Sequence, residues 1–226
     1  MRLLVLDIEG TIFRTNVRLE GTSIDSTIWQ SIALALGPDA VKEEVATHRR
    51  WHAKQYRSYL DWMKDTIQIH QKYGLTAKLF NDLIKCAEYN SGVKETLGLI
   101  DRQRFEILLI SGGFRELAAR VQADCKIKHA FAACEYIFDS DGFLNAYNLL
   151  PCDFEGKIDF IRLMLREYGL TEQDWMFVGD GANDVPIARS APVSVAYSAH
   201  PELQKVATYR TNFFPDLLDI IRENSL

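Results

Sequence analysis

The sequence predicts an α/β fold: a doubly wound parallel sheet with a helical segment inserted after its first strand. Three observations predict it. Short aliphatic runs at residues 2–6, 105–110 and 175–178 alternate with amphipathic stretches, as fully buried strands alternate with helices in a parallel sheet. Each run ends in a polar or glycine-rich turn: Asp7-Ile8-Glu9-Gly10-Thr11, Ser111-Gly112-Gly113-Phe114 and Gly179-Asp180-Gly181. In open α/β sheets that edge binds ligands. Between the first two runs, from residue 24 to about 89, the apolar spacing is helical and no strand pattern is evident.

The first strand begins at the start of the chain, which predicts that no secretory segment precedes it. Residues 12–23 have no clear period, include Gly21, and read as a linker. Ile24, Ile28, Ile32 and Leu36 recur every four residues, a helix that Gly37-Pro38 stops. Residues 41–46 read as a short helix. Trp51, Tyr59, Trp62 and Ile69 share one stripe of a longer helix ending before Gly74, and Thr76 caps a further helix through Cys86. Trp29, Trp51 and Trp62 read as a small core of this insert, with a pocket for a bulky apolar group as the alternative. The run His48-Arg49-Arg50-Trp51-His52, with Arg57, reads first as solvated helix charge and second as a site for a carboxylate or phosphate. Past the insert come a strand at 105–110, a helix at 114–123, and a hairpin of 130–138 and 143–147 around Asp139-Ser140-Asp141-Gly142. An amphipathic helix at 156–168, strands at 175–178 and 192–196, and a closing helix at 213–221 complete the alternation.

The composition of the 226 residues, 47% hydrophobic and 25% charged, is that of an ordinary globular protein. No apolar run approaches membrane-spanning length, so no membrane partner is expected. A net charge of −5 disfavours a nucleic-acid surface. Cys86, Cys125, Cys134 and Cys152 form no CxxC pair, which predicts reduced thiols, a cytoplasmic protein and no cysteine metal site. Residues 14–88 carry a slight basic excess and the remainder carries the acidic balance. That asymmetry suits an anionic ligand together with a cation.

Four stretches carry chemistry. Asp7 and Glu9 place two carboxylates at the end of the first strand, although an aspartate there also opens an ordinary turn. Ser111-Gly112-Gly113 before a helix supplies a hydroxyl and exposed backbone N–H groups for an anion, or simply a glycine turn. Lys157 opens a helix, where a cation opposes the dipole unless an anion is near; exposed lysines are common all the same. In Val178-Gly179-Asp180-Gly181-Ala182-Asn183-Asp184-Val185 the two aspartates fall four apart on one face of a starting helix and repel unless a cation joins them. Hard carboxylate oxygens of this kind suit Mg²⁺.

These four stretches occur in the order of the four motifs of haloacid-dehalogenase-like phosphatases, and the SGGF and GDGAND forms resemble the phosphoserine phosphatase branch. The resemblance covers residues 1–12 and 90–226 and implies a Rossmann-like catalytic core, with residues 13–89 in the place of that branch's helical cap. It implies a Mg²⁺-dependent hydrolase acting on a small-molecule phosphomonoester through an aspartyl-phosphate. Asp7 would be the nucleophile. Ser111 and the Gly112 N–H would hold phosphoryl oxygens, with Lys157 and Asn183 adding charge and a donor. Asp7, the Glu9 carbonyl and Asp180 would bind the metal, with Asp184 supporting through water. Asp7, Ser111, Lys157 and Asp180 are thus expected to converge at one sheet edge.

Glu9 departs from the common motif, which has an aspartate as acid and base; the DxEGT form resembles that of enolase-phosphatases. Glutamate offers the same chemistry one methylene further out. In the cap, Thr27 or Ile28 stands about where the branch has a substrate-binding glutamate, and residues 59–64 contain no arginine. This implies a substrate other than phosphoserine; a slip of one turn would bring Glu20 or Arg57 into play. Alternatives are phosphoserine hydrolysis itself, phosphoryl transfer to an alcohol, and a non-catalytic phosphate-ligand sensor. The oligomeric state is left open.

Overall fold

The computed structural model describes residues 1–17, 24–25 and 27–224. The chain starts with β1 (Arg2–Leu6), β2 (Phe13–Val17) and β3 (Ile24–Asp25). Helices α1 (Ile28–Leu36), α2 (Pro38–His52), α3 (Tyr59–Lys72) and α4 (Ala77–Cys86) follow, then β4 (Ala87–Tyr89), α5 (Val93–Leu99), β5 (Phe105–Phe114) and α6 (Arg115–Cys125). Next come β6 (His129–Phe138), β7 (Leu144–Leu149), α7 (Gly156–Glu167) and β8 (Trp175–Gly179). The chain finishes with a 3₁₀ turn (Ala182–Asp184), α8 (Val185–Ser190), β9 (Val193–Tyr197), α9 (Pro201–Val206), β10 (Tyr209–Thr211) and α10 (Asp216–Glu223).

Seven strands form one sheet in the order β10-β9-β8-β1-β5-β6-β7. The neighbours from β10 through β5 pair in parallel, and β6 and β7 form the antiparallel hairpin that the turn residues predict. The chain winds outward from β1 in both directions, so β1 lies at the point where strand order reverses, and ligands favour the C-terminal strand ends there. The aliphatic runs are buried throughout: Leu3, Leu4, Val5, Leu6, Leu108 and Phe177 are all fully enclosed.

The chain forms two compact units. The first comprises Met1–Arg14, Tyr89–Ala133 and Cys152–Leu226; the second comprises Thr15–Glu88 and Cys134–Pro151. Residues 134–151, which the sequence reading leaves with the catalytic core, are thus grouped with the helices. The second unit holds the four helices α1–α4. Ala33, Ala40 and Ile69 form a buried cluster there, with Leu36, Val41 and Tyr73 packed against it. The three tryptophans are half-buried: Trp51 and Trp62 stack at 4.9 Å and the Trp62 indole donates to Thr47 Oγ1 at 3.0 Å, while Trp29 lies against His70 at 5.9 Å and Tyr136 at 6.3 Å. Arg50 pairs with Asp65 at 3.0 Å, whereas Arg49 and Arg57 are exposed.

Four expectations about the insert are corrected. Residues 13–17 are a strand, not linker, and with β3 and β4 they form a three-stranded sheet. Such short strands carry too few residues for a visible alternation. Ile24 belongs to β3, not to the first helix, which starts where the Thr27 side chain and Gln30 cap each other. Gly37-Pro38 does stop α1, but Pro38 then opens a helix of 15 residues instead of the short one expected, since proline is well suited to the first helical turn. The stripe from Trp51 to Ile69 is two helices, with Lys54 at φ +55° between them and Ser58 capping the second. Gly21 and Glu20 lie outside the described residues. Among the described residues, no helix is long and apolar enough to cross a membrane.

Candidate active site

The site lies within the first unit, on the loops that leave β1, β5 and β8. Leu6 pairs with Leu109 on one side and Val178 on the other. Asp7 therefore leaves β1 level with Gly179, and its N–H donates to the Val178 carbonyl at 2.9 Å. Asp180 follows one residue later, and Ser111 stands two residues past Leu109 on β5. Parallel register alone thus gathers motifs more than 100 residues apart.

The turn after β1 is tightly held. Gly10 has φ +88°, and a Cβ there would lie 2.0 Å from Asp180 Oδ2, so both backbone and space require glycine. Thr11 Oγ1 donates to Asp180 Oδ1 at 3.0 Å, joining the first motif to the last. Asn90 donates to the Gly10 and Thr11 carbonyls at 3.0 and 2.9 Å, satisfying acceptors that the turn leaves open. The sequence reading gave Asn90 no role, and a lone asparagine after a strand carries no signal.

Lys157 is at the centre. It is fully buried on the first turn of α7, and its ammonium donates to Asp7 Oδ1 at 2.6 Å and to Asp184 Oδ1 at 2.8 Å. Asp153 Oδ1 is 3.9 Å away. The exposed-lysine alternative is therefore excluded: the cation at an unfavourable helix start is offset by three carboxylates. Burial alone would push the ammonium down, but Asp184, Asp7 and Asp153 outweigh it and hold it well above its ordinary value.

Negative charge is nonetheless in excess. Oxygens of Asp7, Asp180 and Asp184 lie within 4.8 Å of one another. Burial, reinforced by Asp184, pushes Asp180 up to about 7. Asp7 is raised well above its ordinary value by burial and by the same carboxylates, against the pull of Lys157. One lysine does not neutralise this set, and hard oxygen donors at this spacing fit a divalent cation. Asp184 Oδ2 also accepts the N–H groups of Asp180 and Gly181 at 3.2 and 3.1 Å, which fixes the loop after β8.

The other expected residues surround this group. Ser111 is buried and its Oγ accepts the Gly113 N–H at 3.0 Å. Here β5 runs on through Phe114, so Ser111 and the glycines belong to the strand end and not to the turn expected before the helix. Glu9 reaches this stretch: a Cβ on Gly113 would lie 2.4 Å from Glu9 Oε2. Asn183 Nδ2 donates at 2.8 Å to Asp153 Oδ1. Asp153 escaped the sequence reading, although an acidic residue four before a lysine is a detectable pairing signal. Cys152, next to it, is pushed up to about 12 by burial, so it stays a thiol.

A parallel α/β sheet with buried aspartates gathered around a lysine at its strand ends defines a class of hydrolase. The family model for haloacid dehalogenase-like hydrolases matches residues 1–192, and the chain belongs to that family. Among its relatives, the phosphoserine phosphatase of Streptococcus thermophilus is 29% identical over 205 residues, spanning 88% of this chain and 91% of that protein. A probable phosphoserine phosphatase of Schizosaccharomyces pombe is 25% identical over 88% of this chain and 67% of its own length. A solved phospho-aspartyl intermediate analogue of phosphoserine phosphatase superposes with a TM-score of 0.76 at 18% identity, covering 98% of both chains. That likeness shows the shared fold.

Proposed function

We propose that this chain is a Mg²⁺-dependent phosphatase that cleaves small phosphomonoesters through an aspartyl-phosphate on Asp7. The observation that carries the reading is the buried Lys157 shared between Asp7 and Asp184 beside Asp180. Asp7, the Glu9 carbonyl and Asp180 would hold Mg²⁺, with Asp184 in support, and the ion would screen the repulsion between Asp7 and a phosphate dianion.

The chain's own residues then divide the work. Lys157 pulls Asp7 toward its ionised form and holds it in place. An Asp7 oxygen forms a bond to phosphorus while the bond to the ester oxygen breaks. Ser111, the Gly112 N–H, Lys157 and Asn183 hold the phosphoryl oxygens. Glu9, beside Gly113, gives its proton to the departing alkoxide, which leaves as the alcohol. It then takes a proton from water, which attacks phosphorus, breaks the bond to Asp7 and releases phosphate. The extra methylene of Glu9 moves this acid–base group outward by about 1.5 Å, one bond length.

Asp7→Asn tests the covalent route. Hydrolysis of an aryl phosphate with Mg²⁺ should fall by at least about 10³-fold while the circular dichroism spectrum is kept. Normal turnover by the variant would exclude Asp7 as nucleophile. Wild-type protein that binds phosphate but hydrolyses nothing would instead favour the sensor reading.

Substrate choice is assigned to the second unit, because the core groups grip only the phosphoryl group. There the Thr27 hydroxyl is engaged as a helix cap and Ile28 is buried, so neither supplies a carboxylate for a substrate ammonium. We therefore assign a small phosphomonoester other than phosphoserine as the preferred substrate. The relatives' names favour a second reading, phosphoserine hydrolysis or transfer to an alcohol. A metabolite panel decides: a kcat/KM for phosphoserine above all other compounds would overturn the first assignment and leave the chemistry standing.

A further inference from the structure

The carboxylate of Asp153 touches the three phosphate-binding groups that lie nearest it. Oδ1 accepts the Asn183 amide at 2.8 Å and stands 3.9 Å from the Lys157 ammonium. Oδ2 lies against Gly112, where an added Cβ would meet it at 2.4 Å. Its side chain is only 7% exposed. Water therefore does little to weaken its field. A group that contacts Gly112, Asn183 and Lys157 together stands where an oxyanion would stand.

The backbone that delivers it is unusual. Phe154 has φ +48°, a left-handed conformation that a bulky residue adopts only when its surroundings hold it there. The Asp153 carbonyl accepts the Gly156 N–H at 3.0 Å, so residues 153–156 make a tight turn immediately before α7. Strain of this kind collects at ligand clamps and switch points. The mechanism above needs no further anion here. Asp7, Asp180 and Asp184 already exceed the charge of Lys157, and another carboxylate repels a phosphate dianion.

We propose that Asp153 is an internal stand-in for phosphate, which yields Asn183 and Lys157 when a phosphoryl group binds and reclaims them when product leaves. The inference rests on the phosphate assignment above. Its consequence is weaker retention of inorganic phosphate, the product that shares every one of these contacts. Burial raises the Asp153 carboxyl above its ordinary value against the pull of Lys157 and Asn183, so its charge is costly where it stands. A residue that merely orients Asn183 would act in the opposite direction, because its removal would weaken phosphate binding.

The test compares wild type with Asp153→Asn in saturating Mg²⁺, using orthophosphate as competitor against aryl phosphate hydrolysis. The inhibition constant for orthophosphate should fall at least about tenfold, because one charge within a few ångströms of the dianion is lost. KM should fall in parallel and kcat should not rise. Unchanged or weaker orthophosphate binding overturns the proposal and leaves Asp153 as a positioning residue for Asn183. Should the variant not fold, a crystal structure of wild type with orthophosphate decides. A lost Asn183–Asp153 contact supports the stand-in, and a contact kept at hydrogen-bond length overturns it. Wild type that binds orthophosphate without hydrolysing esters would defeat the proposed activity alone, and direct titration of the two proteins would then give the same comparison. Failure of wild type to bind orthophosphate at all would overturn both.

Discussion

The two units bury ionisable groups in different ways. In the α/β unit, Lys157 has two carboxylate partners within hydrogen-bond length, and Asp184 accepts two backbone N–H groups as well. In the helical unit, Glu44 and His70 are equally buried, yet among the described residues neither Glu44 oxygen nor His70 Nε2 has a hydrogen-bond partner. His48 and His70 face Glu44 at 3.8 Å, and His70 Nδ1 meets the Tyr136 hydroxyl at 2.7 Å. The strand ends of a parallel sheet supply loops with free backbone N–H groups, whereas helix faces have already used theirs. A dense, hydrogen-bonded charge set is therefore easier to build at the sheet edge.

Helix starts show the same division. Side chains of Thr27, Ser58 and Thr76 cap α1, α3 and α4 in the helical unit. In the α/β unit α5, α6, α7, α8 and α10 have no side-chain cap bond. Side-chain caps start three of the four helices of one unit, α2 opening instead on Gly37-Pro38, while in the other His200 caps α9 and packing on the sheet places the rest.

The sharpest way to break this contrast is to remove burial from the sheet. Leu108→Ala, at a fully enclosed position of β5, should cost about 2–5 kcal/mol in urea unfolding. A cost near that of a surface change would mean that the sheet core repacks freely.

The charge set comes next in expected effect. Without metal, native Asp180 is pushed up to about 7 from 3.8. Between those values the folded protein holds a proton that the unfolded chain has lost, so metal-free stability must fall as pH rises through that window. The effect is of the order of a few kcal/mol. Urea midpoints in chelator from pH 4.5 to 7.5 should therefore drop more steeply for wild type than for Asp180→Asn. Added Mg²⁺ at pH 7.5 should raise wild type more than the variant. Parallel pH curves would show that Asp180 does not carry the excess charge.

The smallest effect sharpens the comparison of helix starts. Thr76 Oγ1 accepts the Leu79 N–H at 3.3 Å. Thr76→Ala should cost about 1 kcal/mol and leave aryl phosphate kcat unchanged. A kinetic change with no loss of stability would mean that the cap contributes to turnover.

Much of this protein was legible in its sequence, because the signals are local. Aliphatic runs ending in Asp7, Ser111 and Asp180 identified the sheet and the edge where these residues gather, since strands buried on both faces read as near-continuous apolar runs. Gly37-Pro38 and Thr76 marked helix ends through backbone chemistry confined to a few residues. Tertiary structure alone decided the rest. Lys157 could be read as an ordinary surface lysine until pairing of β1 with β5 and β8 brought Asp7, 150 residues away in sequence, to its ammonium. Likewise, the three-stranded sheet and the break between α2 and α3 rest on contacts that no short window contains. Asp153 shows the limit most clearly. Its spacing from Lys157 is local, but its meeting with Gly112 and Asn183 depends on three separate loops arriving at one sheet edge, and propensity does not encode where distant loops meet.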